Sequence, residues 1–142
     1  MDERRDVYAY FWVEGFECAP EEISKRLGIA PSKVHLKGEP LAGPNRFRIA
    51  NSWEVLSPLP RGSEVLDSYV EALLNLLEPC AAEIRSLSSE CEVGINCVGY
   101  FFSANPGFHF SRQVLQRLST LGVSVDFDLY CYCAKCESEE QP

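Results

Sequence analysis

Two carboxylates spaced two residues apart are the first groups in this chain that could carry chemistry. Asp126 and Asp128 lie within residues 123–132, where apolar and polar residues alternate strictly. A period of two is typical of a β-strand, so both side chains should lie on one face of a sheet. Such a pair can bind a divalent cation or act as a general acid and base, although paired aspartates more often form a solvated strand face.

The two histidines of the chain are candidate partners for these aspartates. His35 falls in a long segment rich in proline and glycine, residues 29–46, and His109 follows an Asn105-Pro-Gly turn. A histidine oriented by a carboxylate can act as a general base. A small enzyme with a His/Asp site under the 29–46 loop is therefore the alternative function, but without a nucleophile elbow or a phosphate loop the sequence leans away from catalysis.

Three of the seven cysteines lie close together near the end of the chain, at Cys131, Cys133 and Cys136. Thiolates at this spacing can share a zinc ion, but a structural zinc site needs four ligands, and the fourth is unassigned, with Cys97 as the first candidate and His109 as the second. The odd number of cysteines and the absence of a secretory signal favour free thiols in a reducing compartment. We therefore expect no metal and no cofactor.

The same strand periodicity places aromatic side chains on the polar side of the predicted sheet. Aromatic residues with a polar tip are typical of interfaces, because they bury a large area at a small cost in rotamer entropy. Exposed aromatic sheets also bind RNA, but the two aspartates would repel phosphates. The alternative is that the 29–46 loop or a helix covers this face. The candidate binding residues are Tyr8, Tyr10, Trp12, Trp53, Tyr100, Asp126, Asp128 and Tyr130.

The elements that must position these residues can be read from periodicity and from glycine and proline. Strands are predicted at residues 7–13, within 47–56, and at 92–101 and 123–132. Helices are predicted at 20–27, from an N-cap at Ser63 to Leu87, and from an N-cap at Ser111 to Leu121. Pro79 interrupts the second of these segments, which is either one kinked helix or two helices.

This order of elements predicts an α+β fold, a two-layer sandwich with a four- to five-stranded mixed sheet and about three helices on one face. The strands alternate between apolar and polar residues, whereas strands of a sheet covered on both faces are continuously apolar. The two halves of the chain also resemble each other weakly, at Tyr10-Phe-Trp and Tyr100-Phe-Phe, so duplicated βαβ halves are a further expectation. Residues 1–133 should form one domain, followed by a polar tail at 134–142.

Composition restricts the class of protein and of partner. The chain has 142 residues, of which 46% are hydrophobic, and a formal net charge of -8. This content of apolar residues supports a folded core, and no apolar run is long enough for a membrane helix. The negative charge disfavours nucleic acid and favours a basic partner. We therefore predict a soluble cytoplasmic domain that binds a basic protein, or a second copy of itself, through the aromatic face and the 29–46 loop.

Several short motifs together resemble a bacterial family, the domain of unknown function 4279, over roughly residues 6 to 131. The family has no established activity, so the resemblance implies a fold and assigns no role to any residue. Cys18 departs from the family pattern, in which aspartate is more common; because cysteine caps helices poorly, the helix that follows should begin weakly. The motifs are Tyr8-Ala-Tyr-Phe-Trp-Val-Glu-Gly15, Cys18-Ala-Pro-Glu-Glu-Ile23, Leu27-Gly-Ile-Ala-Pro31, Lys37-Gly38, Asn51-Ser-Trp53 and Asp126-Phe-Asp-Leu-Tyr130.

Overall fold

The computed structural model of the protein describes residues 5–62, 65–102 and 107–132. Five strands and four α-helices follow one another in these residues, and a short 3-10 turn, Glu78–Cys80, joins the second and third helices. The elements are β1 (Arg5–Glu14), α1 (Pro20–Leu27), β2 (Lys33–His35), β3 (Ser52–Leu56), α2 (Leu66–Leu77), α3 (Ala81–Glu90), β4 (Glu92–Phe101), α4 (Arg112–Leu121) and β5 (Ser124–Cys131).

The strands form a single mixed sheet in the order β2-β3-β1-β4-β5. The three pairs β2–β3, β3–β1 and β1–β4 are antiparallel, whereas β4 and β5 are parallel and are joined through α4. A helix is the usual crossover between adjacent parallel strands, which explains this one parallel pair. The mixed sheet and the α+β class are as predicted.

One face of the sheet is buried by the helices. Val7, Ala9, Phe11 and Val13 alternate along β1 and are all nearly or completely buried. They belong to one apolar cluster with the buried side chains of α1, α2, α3 and α4. The four described helices therefore lie on one side of the sheet, which confirms the two-layer arrangement.

The local sequence explains where several helices begin and end. Ser111 caps α4 by accepting a hydrogen bond at Oγ from the amide of Val114 at 3.1 Å. Gly28 and Gly122 end α1 and α4 in the left-handed conformation, with φ of 69° and 77°. Ala19, and not Cys18, occupies the N-cap of α1 and makes no side-chain hydrogen bond, so this helix starts without a side-chain cap.

Three details differ from the sequence-based expectations. The segment 29–46 contains a strand, β2. This strand has only three residues, which are too few to show an alternating pattern in the sequence. The two halves of the chain do not repeat a βαβ unit, because β1 pairs with β3 antiparallel and β4 pairs with β5 parallel. The expectation of free thiols is wrong for Cys131, which is disulfide-bonded, whereas Cys18, Cys80, Cys91 and Cys97 are free.

The core thiol of Cys97 should make the protein sensitive to alkaline pH. Its burial, and to a smaller extent the charge of Asp126, raise the pKa of Cys97 from 9.0 to about 12. The unfolded chain therefore releases this proton above pH 9, while the folded protein keeps it until about pH 12. Linkage then lowers the free energy of unfolding as pH rises through this window, by roughly 2–3 kcal/mol at pH 11 for this group alone.

Urea unfolding at pH 8, 9, 10 and 11 measures this effect. We expect the Cys97→Ala variant to be less stable than wild type at pH 8 but to lose less stability between pH 9 and 11. Equal losses in the two proteins over this range would contradict the assignment. Tyr8 and Tyr10, whose pKa values are also raised by burial, would account for a remaining decrease common to both proteins.

Candidate functional site

The face of the sheet opposite the helices carries the aromatic and acidic residues singled out in the sequence. We call it the open face. Across the central strands, Tyr10 of β1 lies beside Asn96 of β4, which in turn lies beside Asp126 of β5. The next rows contain the remaining predicted residues of this face, which are Tyr8, Trp12, Tyr100, Asp128 and Tyr130.

Trp53 does not belong to the open face. Its side chain is 0% exposed and lies in the core on the helix side of β3, where its indole N–H donates to Oγ of Ser24 at 2.9 Å. The adjacent Ser52 and Glu54 are the residues of β3 that lie on the open face, because side chains alternate along a strand. The prediction of Trp53 as a binding residue is therefore wrong.

Residues 36–51, which we call the arm, form an irregular hairpin beside β3. Two backbone hydrogen bonds join its two sides, each at 2.8 Å. The amide of Gly38 donates to the carbonyl of Arg48, and the amide of Arg48 donates to the carbonyl of Glu39. Asn51 anchors its base, accepting at Oδ1 from the amide of Lys37 and donating from Nδ2 to the carbonyl of Phe16, again at 2.8 Å. The long segment predicted as a loop is thus an anchored structure that extends to residue 51.

A cleft of about 810 Å³ lies between the arm and the open face. The sheet side is formed by Tyr10, Trp12, Glu14, Ser52, Glu54, Glu92, Asn96 and Asp126, and the arm side by Leu41 and residues 45–50. The sheet residues lie in the rows of Tyr10, Trp12 and Glu14, so the cleft covers the end of β1 and the beginning of β4. This is the candidate functional site.

The indole of Trp12 forms part of the floor of the cleft, directly above Gly94. A Cβ atom at position 94 would lie 2.6 Å from Cζ2 and 2.9 Å from Cε2 of Trp12, closer than side chains approach each other. Glycine is therefore needed at position 94 for the ring to lie across β4. The ring covers the backbone of β4 at Gly94, and the side chain, which is partly exposed, also lines the cleft.

Asn96 is the most deeply buried polar residue of the cleft, with 7% of its surface exposed. Its Nδ2 atom donates to the hydroxyl of Tyr10 at 2.7 Å and to Oδ2 of Asp128 at 2.8 Å. A carboxylate only accepts hydrogen bonds, so Asp128 determines the orientation of the amide. The opposite atom, Oδ1, is buried and accepts no hydrogen bond, at a cost of about 1–3 kcal/mol.

The charges of the cleft are unevenly distributed. Its four carboxylates form no ion pair within the described parts of the chain, whereas Arg46 and Arg48 lie on the arm. Burial, together with the charges of Glu54 and Asp128, raises the pKa of Tyr10, which therefore stays a neutral hydroxyl at physiological pH. The floor is thus rich in acceptors and negative charge. The four carboxylates belong to Glu14, Glu54, Glu92 and Asp126.

A second hollow of about 480 Å³ adjoins the cleft at Tyr10, Arg48 and Glu54. Arg61 lines it, and its guanidinium carbon lies 4.3 Å from the ring centre of Tyr8 and 5.3 Å from that of Tyr100. Its Nε atom also donates to Asp6 at 2.8 Å.

Beyond Arg61, Tyr100 stacks on Tyr130 with ring centres 4.9 Å apart. This part of the open face is an ordered aromatic surface that contains its own cation.

The structure does not assemble the predicted His/Asp site. His35 lies on β2, and β3, β1 and β4 separate it from Asp126 and Asp128 on β5, a distance of roughly 19 Å at the usual strand spacing. Nδ1 of His35 instead lies 3.8 Å from Oε2 of Glu39. His109 is exposed and lies in the segment that leads into α4.

The described residues contain no cluster of three or more potential metal ligands. Asp126 and Asp128 are therefore not completed into a metal site by nearby carboxylates. The predicted cluster of Cys131, Cys133 and Cys136 lies partly outside the described residues, and the disulfide-bonded Cys131 offers no thiolate to a metal.

Sequence reasoning missed several residues of the site. Arg61, Phe47 and Ile49 were not predicted as site residues, and the exposure of Phe47 and Ile49, at 56% and 87%, shows only in the structure. Glu14 and Glu92 alternate with the aromatic residues of their strands, a signal that could have placed them on the open face but not in the cleft.

Residues 5–132 match the model of a protein family described as Domain of unknown function (DUF4279), and the chain belongs to this family. The match confirms the resemblance noted from the sequence motifs. Comparisons with curated proteins and with solved structures return no match. Among the described residues, none of the helices is both long enough and apolar enough to cross a membrane.

The position of Trp12 can be tested without changing any charge. The Gly94→Ala variant introduces a methyl group where the indole lies, so we expect the ring to move out and become more exposed to solvent. Quenching of tryptophan fluorescence by acrylamide should increase in this variant, because the other tryptophan, Trp53, is buried. The Gly122→Ala variant, changed at a glycine with open space around it, is a control for nonspecific loosening, and equal quenching of all three proteins would contradict the geometry.

Proposed function

We propose that this protein is a binding domain that recognises a basic protein partner through the cleft and the adjoining open face. The observation that carries this proposal is the set of unpaired carboxylates on the floor of the cleft, beside the aromatic side chains of Tyr10 and Trp12. A partner with positive charge would neutralise these carboxylates, and the aromatic rings would supply contact area.

The distribution of charge supports a cationic partner over an anionic one. Among the described residues, Arg46 and Arg48 are the two cationic side chains that line the cleft, and both belong to the arm. The sheet residues that line the cleft beneath them are acidic or neutral, and the net charge of the whole chain is -8. An anionic ligand that reached the sheet would be repelled, whereas a basic segment would be attracted over long distances.

Fluorescence anisotropy with a labelled short peptide, in which lysine and arginine alternate with glycine, tests the proposal. We expect the Glu54→Gln and Asp126→Asn variants to weaken binding by about threefold to tenfold each, because each removes attraction within the cleft. Asp128→Lys should weaken it further, because it reverses a charge on the open face beside the cleft and removes the carboxylate that accepts from Asn96. Tyr10→Ala should also weaken binding, through loss of contact area and of the hydrogen bond from Asn96.

The Glu71→Gln variant is the matched control, because it removes the same charge from α2 on the opposite side of the sheet. Its affinity should stay within about twofold of wild type. If Glu71→Gln weakens binding as much as Glu54→Gln, the peptide is responding only to net charge. An acidic peptide that binds more tightly than the basic one would overturn the proposal.

Self-association is a second candidate, favoured by the exposed edge strand β5. Within the described residues β5 pairs on one side only, and Phe127 and Leu129 on its apolar face are 48% and 47% exposed. A long edge strand with exposed apolar side chains is a common site of pairing between chains. A second copy could extend the sheet through the same edge by two-fold symmetry.

Sedimentation velocity over a range of protein concentrations tests this second candidate. We expect wild-type protein to sediment faster as its concentration rises and the Leu129→Lys variant to remain monomeric, because a charge at the edge opposes pairing. Leu36→Lys changes a similarly exposed leucine on the arm and should behave as wild type. Wild-type protein that stays monomeric at every concentration would rule out self-association through β5.

A further inference from the structure

We propose that the cleft binds the side chain of an arginine, stacked on the indole of Trp12 and hydrogen-bonded to Oδ1 of Asn96. This inference rests on the proposed function and specifies the residue that the basic partner inserts. Three features of the cleft lead to it: an acceptor without a donor, an aromatic platform, and carboxylates in the same cleft.

The buried Oδ1 atom of Asn96 requires a donor that the described residues do not provide. Both hydrogens of its Nδ2 atom are already engaged, with Tyr10 and Asp128, so the amide cannot rotate to satisfy the oxygen without placing it against a carboxylate. Buried polar side chains are nearly always hydrogen-bonded, and an exception needs an explanation. A donor that arrives with a ligand would remove this deficit.

Trp12 provides the surface on which such a ligand would lie. Its indole covers Gly94, and Asn96 is the next residue of β4 whose side chain lies on the open face. A cation over the face of a tryptophan is attracted by the ring, most strongly among the aromatic residues. A group stacked on this ring would therefore lie beside the unsatisfied oxygen.

The chemistry of the floor favours a guanidinium over an ammonium. The acceptors that line the cleft lie on three strands, with Glu54 on β3, Asp126 on β5 and the amide oxygen on β4. Guanidinium is planar, stacks on aromatic faces and has five N–H donors in one plane, so a single stacked group can donate in several directions at once. The ammonium of lysine is a compact point charge that does not stack, and its three donors cannot span the ring.

Removing an arginine of the arm should strengthen binding, whereas the substitutions on the sheet should weaken it. Arg48 lines both the cleft and the adjoining hollow, and no carboxylate pairs with it in the described chain. A bound arginine would be repelled by this neighbour, so the Arg48→Gln variant should bind it more tightly. An anionic ligand would instead lose affinity in this variant.

Nuclear magnetic resonance titration with Nα-acetyl-arginine amide tests the inference directly on the full chain. The indole N–H resonance of Trp12, assigned with the Trp12→Phe variant, should shift and saturate, while that of the buried Trp53 should not. We expect the corresponding lysine derivative to bind at least about threefold more weakly, and the citrulline derivative, which is nearly isosteric but uncharged, to bind at least about tenfold more weakly.

The variants follow from the three features. Asn96→Leu and Gly94→Ala should each reduce affinity for the arginine derivative by at least about fivefold, the first by removing the acceptor and the second by displacing the ring. Glu71→Gln should leave it unchanged. Gly94→Ala and Arg48→Gln keep the inference testable if Asn96→Leu does not fold, because neither alters the buried amide.

The outcomes separate this inference from the proposed function. Equal binding of the arginine and citrulline derivatives, or a loss of affinity in Arg48→Gln, would overturn the arginine site. If the arginine derivative does not bind while the basic peptide binds in a manner sensitive to Glu54→Gln, the inference is wrong and the proposed function stands. If neither probe binds, both are wrong.

Discussion

The burial of one face of the sheet against the helices is the constraint on which the rest of the structure depends. Along β1, the central strand, every second residue is apolar and enters the core shared with the helices. Because side chains alternate, the residues between them must lie on the opposite face, where no described helix packs. The open face and its aromatic residues are thus a direct consequence of how the core is formed.

The arm converts part of this face into a cleft. Asn51 joins the base of the arm to the segment that follows β1. Its side-chain Nδ2 donates to the carbonyl of Phe16, and its backbone carbonyl accepts from the amide of Gly15, so two hydrogen bonds hold the arm to the end of the central strand. The arm then places arginines opposite a floor of carboxylates. The result is a concave site, with charges of opposite sign on opposite walls, on a face that would otherwise be a flat strand surface.

The network around Asn96 is the least satisfied part of the structure. The amide connects Tyr10 on β1 to Asp128 on β5 across β4, and it holds both groups in place while one of its own atoms lacks a partner. Buried polar networks stabilise a structure when complete and cost free energy when incomplete. A cost maintained at the centre of a cleft, and nowhere else among the described side chains, is typical of a site that a ligand completes.

The sequence by itself determined the two faces of the sheet and the caps of α4, because strand periodicity, Ser111 and Gly122 act through local geometry. It also determined the family, through short motifs spread along the chain. Strand periodicity is enough to place Tyr10, Asn96 and Asp128 on one face, but it cannot bring their side chains together. Those contacts join residues 32 and 86 positions apart. Only the tertiary structure decided them, together with the separation of His35 from Asp126, because strand order and register depend on the packing of the whole core rather than on any local pattern.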